Sequence, residues 1–136
     1  MKRIMLLPAA ALYLLIVVAF IYHGKSGNRN VSYIKTDRVS DITMTSVRCY
    51  FTLSGDNMLK AGVCLNQTGN PTTPSKLDIP LSVPELLLNS VKPKQFNVGV
   101  KGLNWNSTYY IRCYVKHRDG TIVYGNELSF KTQGKP

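Results

Sequence analysis

Acidic side chains are scarce in this chain of 136 residues: seven Asp and Glu stand against 17 Lys and Arg. They are spread singly, and no motif brings two carboxylates together to share acid and base roles. Histidine is scarcer still, and beyond the first 25 residues only His117 remains. A nucleophilic Cys113 would need that histidine as its base, yet four residues of extended strand separate the two by roughly 13 Å. No two of the three cysteines, and no two histidines, lie at metal-ligand spacing. These shortages argue against an enzyme, against a bound metal and against a cofactor. No cysteine precedes Cys49, which excludes a lipid-modified cysteine behind an export signal. After the N-terminal apolar run there is no helical periodicity long enough to build a layer of helices.

What the chain does have begins with that run. Ile4 to Tyr22, IMLLPAAALYLLIVVAFIY, carries no charge and follows Lys2 and Arg3, the pattern of an export signal or a membrane span. Its 19 residues make roughly 28 Å of helix at 1.5 Å per residue, close to the ~30 Å of a bilayer interior. Residues 1–23 therefore predict a signal-anchor or a signal peptide, and the length favours the uncleaved anchor. Residues 24–31 predict a linker of glycine and polar residues. Residues 32–134 predict one domain on the periplasmic or extracellular side of the membrane. Lys2, Arg3 and Lys25 hold three of the bases, so the remainder has fourteen against seven acids, a surplus of seven. That surplus favours anionic partners through an attraction that salt screens, without choosing among them.

Within the domain the most informative stretch is Leu103 to Val115, where apolar residues take every second position after a polar turn. Tyr109, Ile111, Cys113 and Val115 fall on one face; Tyr110, Arg112, Tyr114 and, just beyond, Lys116 fall on the other. A leucine followed six residues later by a tyrosine heading such a strand predicts a sandwich corner, where the Tyr109 hydroxyl ties the strand to the preceding loop. Further strands are predicted over Val31–Arg38, Thr43–Leu53, Met58–Leu65 and Gln95–Lys101. Asp119-Gly120 predicts a tight hairpin, and Thr121–Thr132 a last strand with a bulge at Gly125. Leu77–Val91 stays open: Pro80 and Pro84 forbid a central strand, while Glu85–Leu88 fits one helical turn or an edge segment.

Several short pieces follow one another at set spacings along this domain. Gly62-Val63-Cys64 comes first, then Asn70-Pro71-Thr72, Thr108-Tyr109-Tyr110-Ile111-Arg112 and Gly120-Thr121. Val123-Tyr124-Gly125-Asn126-Glu127 and Ser129-Phe130-Lys131-Thr132 complete the series. Together they make Tyr33–Thr132 resemble a fibronectin type III-like domain of the kind common in Bacteroidetes envelope proteins. The resemblance implies an all-β fold, a seven-strand immunoglobulin-like sandwich, here preceded by one N-terminal apolar helix. It implies a spacer, adhesion or carbohydrate-related module and brings no catalytic residues with it.

Cys49 and Cys113 fall on inward positions of strands expected to face each other, which makes them the preferred disulfide pair in an oxidising envelope. The alternative is three reduced cysteines packed as small apolar residues. Such a bridge would close a 64-residue interval and stabilise by about 4 kcal/mol on loop entropy. Tyr110, Arg112, Tyr114 and Lys116 form a candidate ligand face, with Trp105 in the loop before them, because tyrosines stack on sugar rings and cations meet acidic groups. The same alternation also serves cross-strand packing, and Trp105 also suits a plug over the sandwich end. The expected function is a non-catalytic, membrane-anchored envelope binding or assembly module, such as an accessory subunit of a membrane complex. The alternatives are a carbohydrate-binding or adhesion domain, or a spacer whose contacts are made by the membrane helix. A protein partner is expected first, a glycan second, the membrane through the N-terminal helix, and nucleic acid is disfavoured.

Overall fold

Residues that alternate apolar and polar bury one side of every strand, and two such sheets need only meet to make an interior. The computed structural model describes residues 33–136 other than residue 76. The expected apolar helix, the linker and the first two residues of the first expected strand lie outside the described residues. In chain order the elements are β1 (Tyr33–Ser40), β2 (Ser46–Gly55), β3 (Met58–Asn66) and β4 (Asp78–Pro80), then the short helix α1 (Glu85–Leu88). The chain continues through β5 (Ser90–Lys101), β6 (Thr108–His117), β7 (Ile122–Tyr124) and β8 (Leu128–Lys131). One sheet runs β1-β2-β5; the other runs β4-β3-β6-β7, with β8 also paired to β6. Every pairing is antiparallel.

The interior takes alternate residues from both sheets: Val47, Phe51 and Leu53 from β2, Val63 and Leu65 from β3, Ile111 and Val115 from β6. Phe51 stacks on Phe96 with ring centroids 6.0 Å apart, and Tyr109 on Phe130 at 5.7 Å. The expected corner is in place. Leu103 is buried, and the Asn104 N–H donates to the Tyr109 hydroxyl at 2.9 Å. The Asp119-Gly120 hairpin also forms, with the His117 N–H donating to the Thr121 carbonyl at 2.8 Å and Gly120 at φ 88°.

Among the described residues there are eight strands rather than seven, because the expected last strand divides into β7 and β8. From Tyr124 to Leu128 the chain takes four steps while β6 takes three, from Tyr114 back to Ile111, so one extra residue is accommodated there. Gly125 stands at that point. A Cβ there would lie 2.6 Å from the Cys113 sulfur, so only glycine passes without displacing it. The open stretch resolves into β4, α1 and the start of β5, which makes the edge strand begin at Ser90 rather than Gln95. Pro93 is tolerated inside it because β5 is an edge.

The registers define two ends. Tyr33 pairs Ser54, Gly55 pairs Ser90, and Met58 pairs His117, so the chain enters the domain beside the β2–β3 turn, α1 and the β6–β7 hairpin. At the opposite end Ser46 pairs Lys101 and Thr108 pairs Lys131. The twelve residues of β5 place the two ends about 40 Å apart.

Candidate binding surfaces

The outward side of β6 is covered by the chain itself. The loop between β3 and β4 folds over this face and is held by the side chains expected to meet a ligand. The Arg112 Nε donates to the Pro71 carbonyl at 2.6 Å, and the guanidinium lies 4.0 Å from the centroid of the Tyr124 ring. The Tyr124 hydroxyl accepts from the Thr73 N–H at 3.1 Å. Tyr114 is only 1% exposed, and its hydroxyl donates to one Asp78 carboxylate oxygen at 2.6 Å, while the Thr73 hydroxyl donates to the other. Burial first, and then the hydrogen bond to Asp78, push the Tyr114 phenol well above its ordinary range. Two of the four strand residues are thus occupied in holding a loop. Tyr110 is half-buried and Lys116 is exposed.

The loop has further attachments. Asn66 accepts from the Gly69 N–H at 2.8 Å and donates to the Gly69 carbonyl at 2.9 Å, turning the chain as it leaves β3. Farther along, the Asn70 N–H donates to Glu127 at 2.6 Å. Cys64 lies beneath this loop, outside the main interior, with its thiol 3.5 Å from the Pro71 carbonyl. These contacts were not readable in advance, because Arg112 and Tyr114 have to meet residues some 40 positions away.

Trp105 sits elsewhere, at the end opposite the entry of the chain. It is 50% exposed, with the Lys135 ammonium 5.4 Å from its ring centroid, and it belongs to a network of three segments. The Leu103 N–H donates to the Thr45 carbonyl, the Asn106 N–H to Gln133, and the Gln133 N–H to Thr43, each at 3.0 Å. The Thr132 hydroxyl donates to the Asn104 carbonyl at 2.6 Å. The aromatic ring therefore stands on a fixed base. Met44, also exposed, lies on the same end, next to a shallow depression lined by Asp41, Arg48 and Lys101. The structure brings Trp105 together with Lys135, and not with Tyr110, Arg112, Tyr114 and Lys116.

All three cysteines are buried free thiols. Cys49 on β2 and Cys113 on β6 both belong to the interior cluster, and the charge of Cys113 further raises Cys49. Burial is the largest influence on each. It pushes Cys49 to about 12 and Cys113 to about 11, the latter tempered by the Thr36 hydroxyl that donates to its sulfur at 3.3 Å. Cys64 is likewise raised to about 11 by burial, against the pull of Arg112. Thiols so far above neutrality are poor nucleophiles. Among the described residues no three His, Cys, Asp or Glu side chains converge as a metal site, and no helix is long and apolar enough to cross a membrane.

Fold and surface together define an all-β, two-sheet domain of the β-sandwich class. Among the solved structures that resemble it are two of the sensor domain of the anti-sigma factor RsgI4 from Pseudobacteroides cellulosolvens. The short form matches with TM-score 0.51 and 17% identity over 76% of this chain and 96% of that one. The long form gives 0.54 and 17% over 78% and 93%. No protein-family model matches the chain and no curated protein matches it in sequence, so the sandwich itself is what stands of the fibronectin type III resemblance.

Proposed function

We propose that this chain is a non-catalytic sensing or binding module of the cell envelope, anchored by residues 1–23 and carrying its sandwich, residues 32–134, outside the membrane on the linker 24–31. The contact surface is the end that presents Trp105. One observation carries this reading: the strand face that looked available is engaged with its own loop, whereas Trp105 is half-exposed on a hydrogen-bonded base. A rigid, partly exposed aromatic ring beside a cation is suited to a protein hot spot or to a sugar ring. The role of the two structural neighbours, sensor domains of an anti-sigma factor, supports a sensing or binding function over a catalytic one. A protein partner in the envelope is the leading choice and a glycan the second. In an oxidising compartment Cys49 and Cys113 are the pair that joins across the interior.

A photo-crosslinking residue placed at position 105 in the full chain, expressed in cells of its source, tests the surface. A discrete adduct is expected from 105 and none from Lys116, and the reverse pattern would remove the proposal. For the glycan alternative, Trp105→Ala should abolish retention on a glycan array while leaving the melting temperature unchanged.

A further inference from the structure

The end through which the chain enters the domain carries an unusual set of exposed side chains. Val91, at 95% exposure, is the most solvent-accessible large apolar residue among those described, and Tyr33, Leu59 and Leu87 are each between 43% and 49% exposed. They do not merge into one greasy surface. Exposed Lys60, Lys92 and Lys94 separate them along β3 and β5, and exposed Lys116 and Arg118 flank the neighbouring hairpin. Asp56 and Asp119 are exposed acids of this end and α1 adds Glu85, so three acids stand against Lys60, Lys92, Lys94, Lys116 and Arg118, and positive charge prevails. Apolar tips set among lysines are the chemistry of a surface that meets lipid head groups, where the tips enter the interface and the cations meet phosphates.

Two further observations select the occupant. Leading back from Tyr33, ten residues separate it from the end of the apolar run at Tyr22, which limits the distance between them to about 35 Å even if fully extended. The other is the β5 edge. Pro93 removes a backbone donor in the middle of the exposed segment and lysines stand on both sides, an arrangement that discourages pairing with the edge of a second chain. We infer that the entry end of the sandwich, with Val91 at its tip, docks onto the surface of an anionic bilayer. The inference rests on the membrane anchor proposed above and adds a second, reversible contact that fixes which way the Trp105 end faces.

The test uses the full chain in liposomes of phosphatidylcholine alone or with phosphatidylglycerol. The native thiols are buried, so Val91→Cys gives one reactive position for an environment-sensitive fluorophore, and Gly134→Cys gives a matching position at the opposite end. Lipids bearing a nitroxide near the head group should quench the Val91 label roughly threefold more than the Gly134 label, but only in anionic vesicles and less at high salt. Lys92→Glu with Lys94→Glu should remove the difference while the melting curve stays in place. Equal quenching at both positions in chains that float with the vesicles would overturn docking and leave the anchor intact. Chains that fail to float would overturn both. Efficient crosslinking between copies through Val91→Cys would assign this end to a second copy and overturn the lipid reading.

Discussion

At the scale of single residues, the buried thiols make stability depend on alkaline pH. In the unfolded chain they ionise near 9.0, whereas in the fold burial holds them at about 11 to 12. Between those values the unfolded state has released protons that the native state keeps, so stability falls as pH rises, and below pH 9 there is no such dependence. Under reducing conditions the melting temperature should be level from neutrality to about pH 8.5 and then decline, and Cys49→Ala should make the decline shallower. Oxidation that joins Cys49 to Cys113 would remove two of the three contributions. The oxidised protein should then be lighter by two hydrogens in intact mass and decline less steeply. Tyr114 makes a separate case. Tyr114→Phe withdraws one donor from a part-buried Asp78, and a loss of about 1 to 3 kcal/mol in urea unfolding is expected. A loss within error would mean that the loop is not held through this carboxylate.

At the scale of elements, the strands with clean alternation were legible: β2 buries Val47, Cys49, Phe51 and Leu53 in turn, β6 faces inward at Tyr109, Ile111, Cys113 and Val115, and the corner and hairpin follow from local residues. What was illegible depended on distant partners. The stretch 77–91 has no period of its own, because β4 is a three-residue edge defined by its approach to β3, and α1 is placed by Asn89 bonding both polar groups of Met58. The candidate ligand face was read from alternation alone, which says that a residue points outward but not that solvent reaches it. Gly62 records how closely β4 approaches. A Cβ there would lie 2.4 Å from the Ile79 carbonyl oxygen and 2.9 Å from the Pro80 Cα, both backbone. Gly62→Ala should therefore cost about 1 to 3 kcal/mol by displacing β4 and the loop before it. Gly99→Ala, with no atom within 4 Å of its Cβ, should be neutral or stabilise by up to about 1 kcal/mol. Denaturant midpoints of the two variants check the contrast, and equal effects would show that β4 yields easily.

At the scale of the whole molecule, the antiparallel sandwich has two chemically different ends. Asn126 joins the layers, accepting from the Thr36 N–H at 2.9 Å and donating to its carbonyl at 3.0 Å, so β1 is bonded to the other sheet's chain as well as to β2. Such a body transmits position: whatever fixes the entry end also sets where Trp105 stands, about 40 Å away. That separation decides between a module that binds through its domain and a subunit that works through its membrane helix. With the entry end docked on a bilayer and residues 4–22 within it, as proposed above, a partner held at Trp105 touches Ile4 to Tyr22 only if it is itself long enough to reach back to the membrane. Replacing Ile4–Tyr22 by an unrelated apolar span of equal length should therefore leave crosslinking from position 105 unchanged. If the adduct disappears while the chain still floats with membranes, the specific contacts belong to the helix and the sandwich is a spacer.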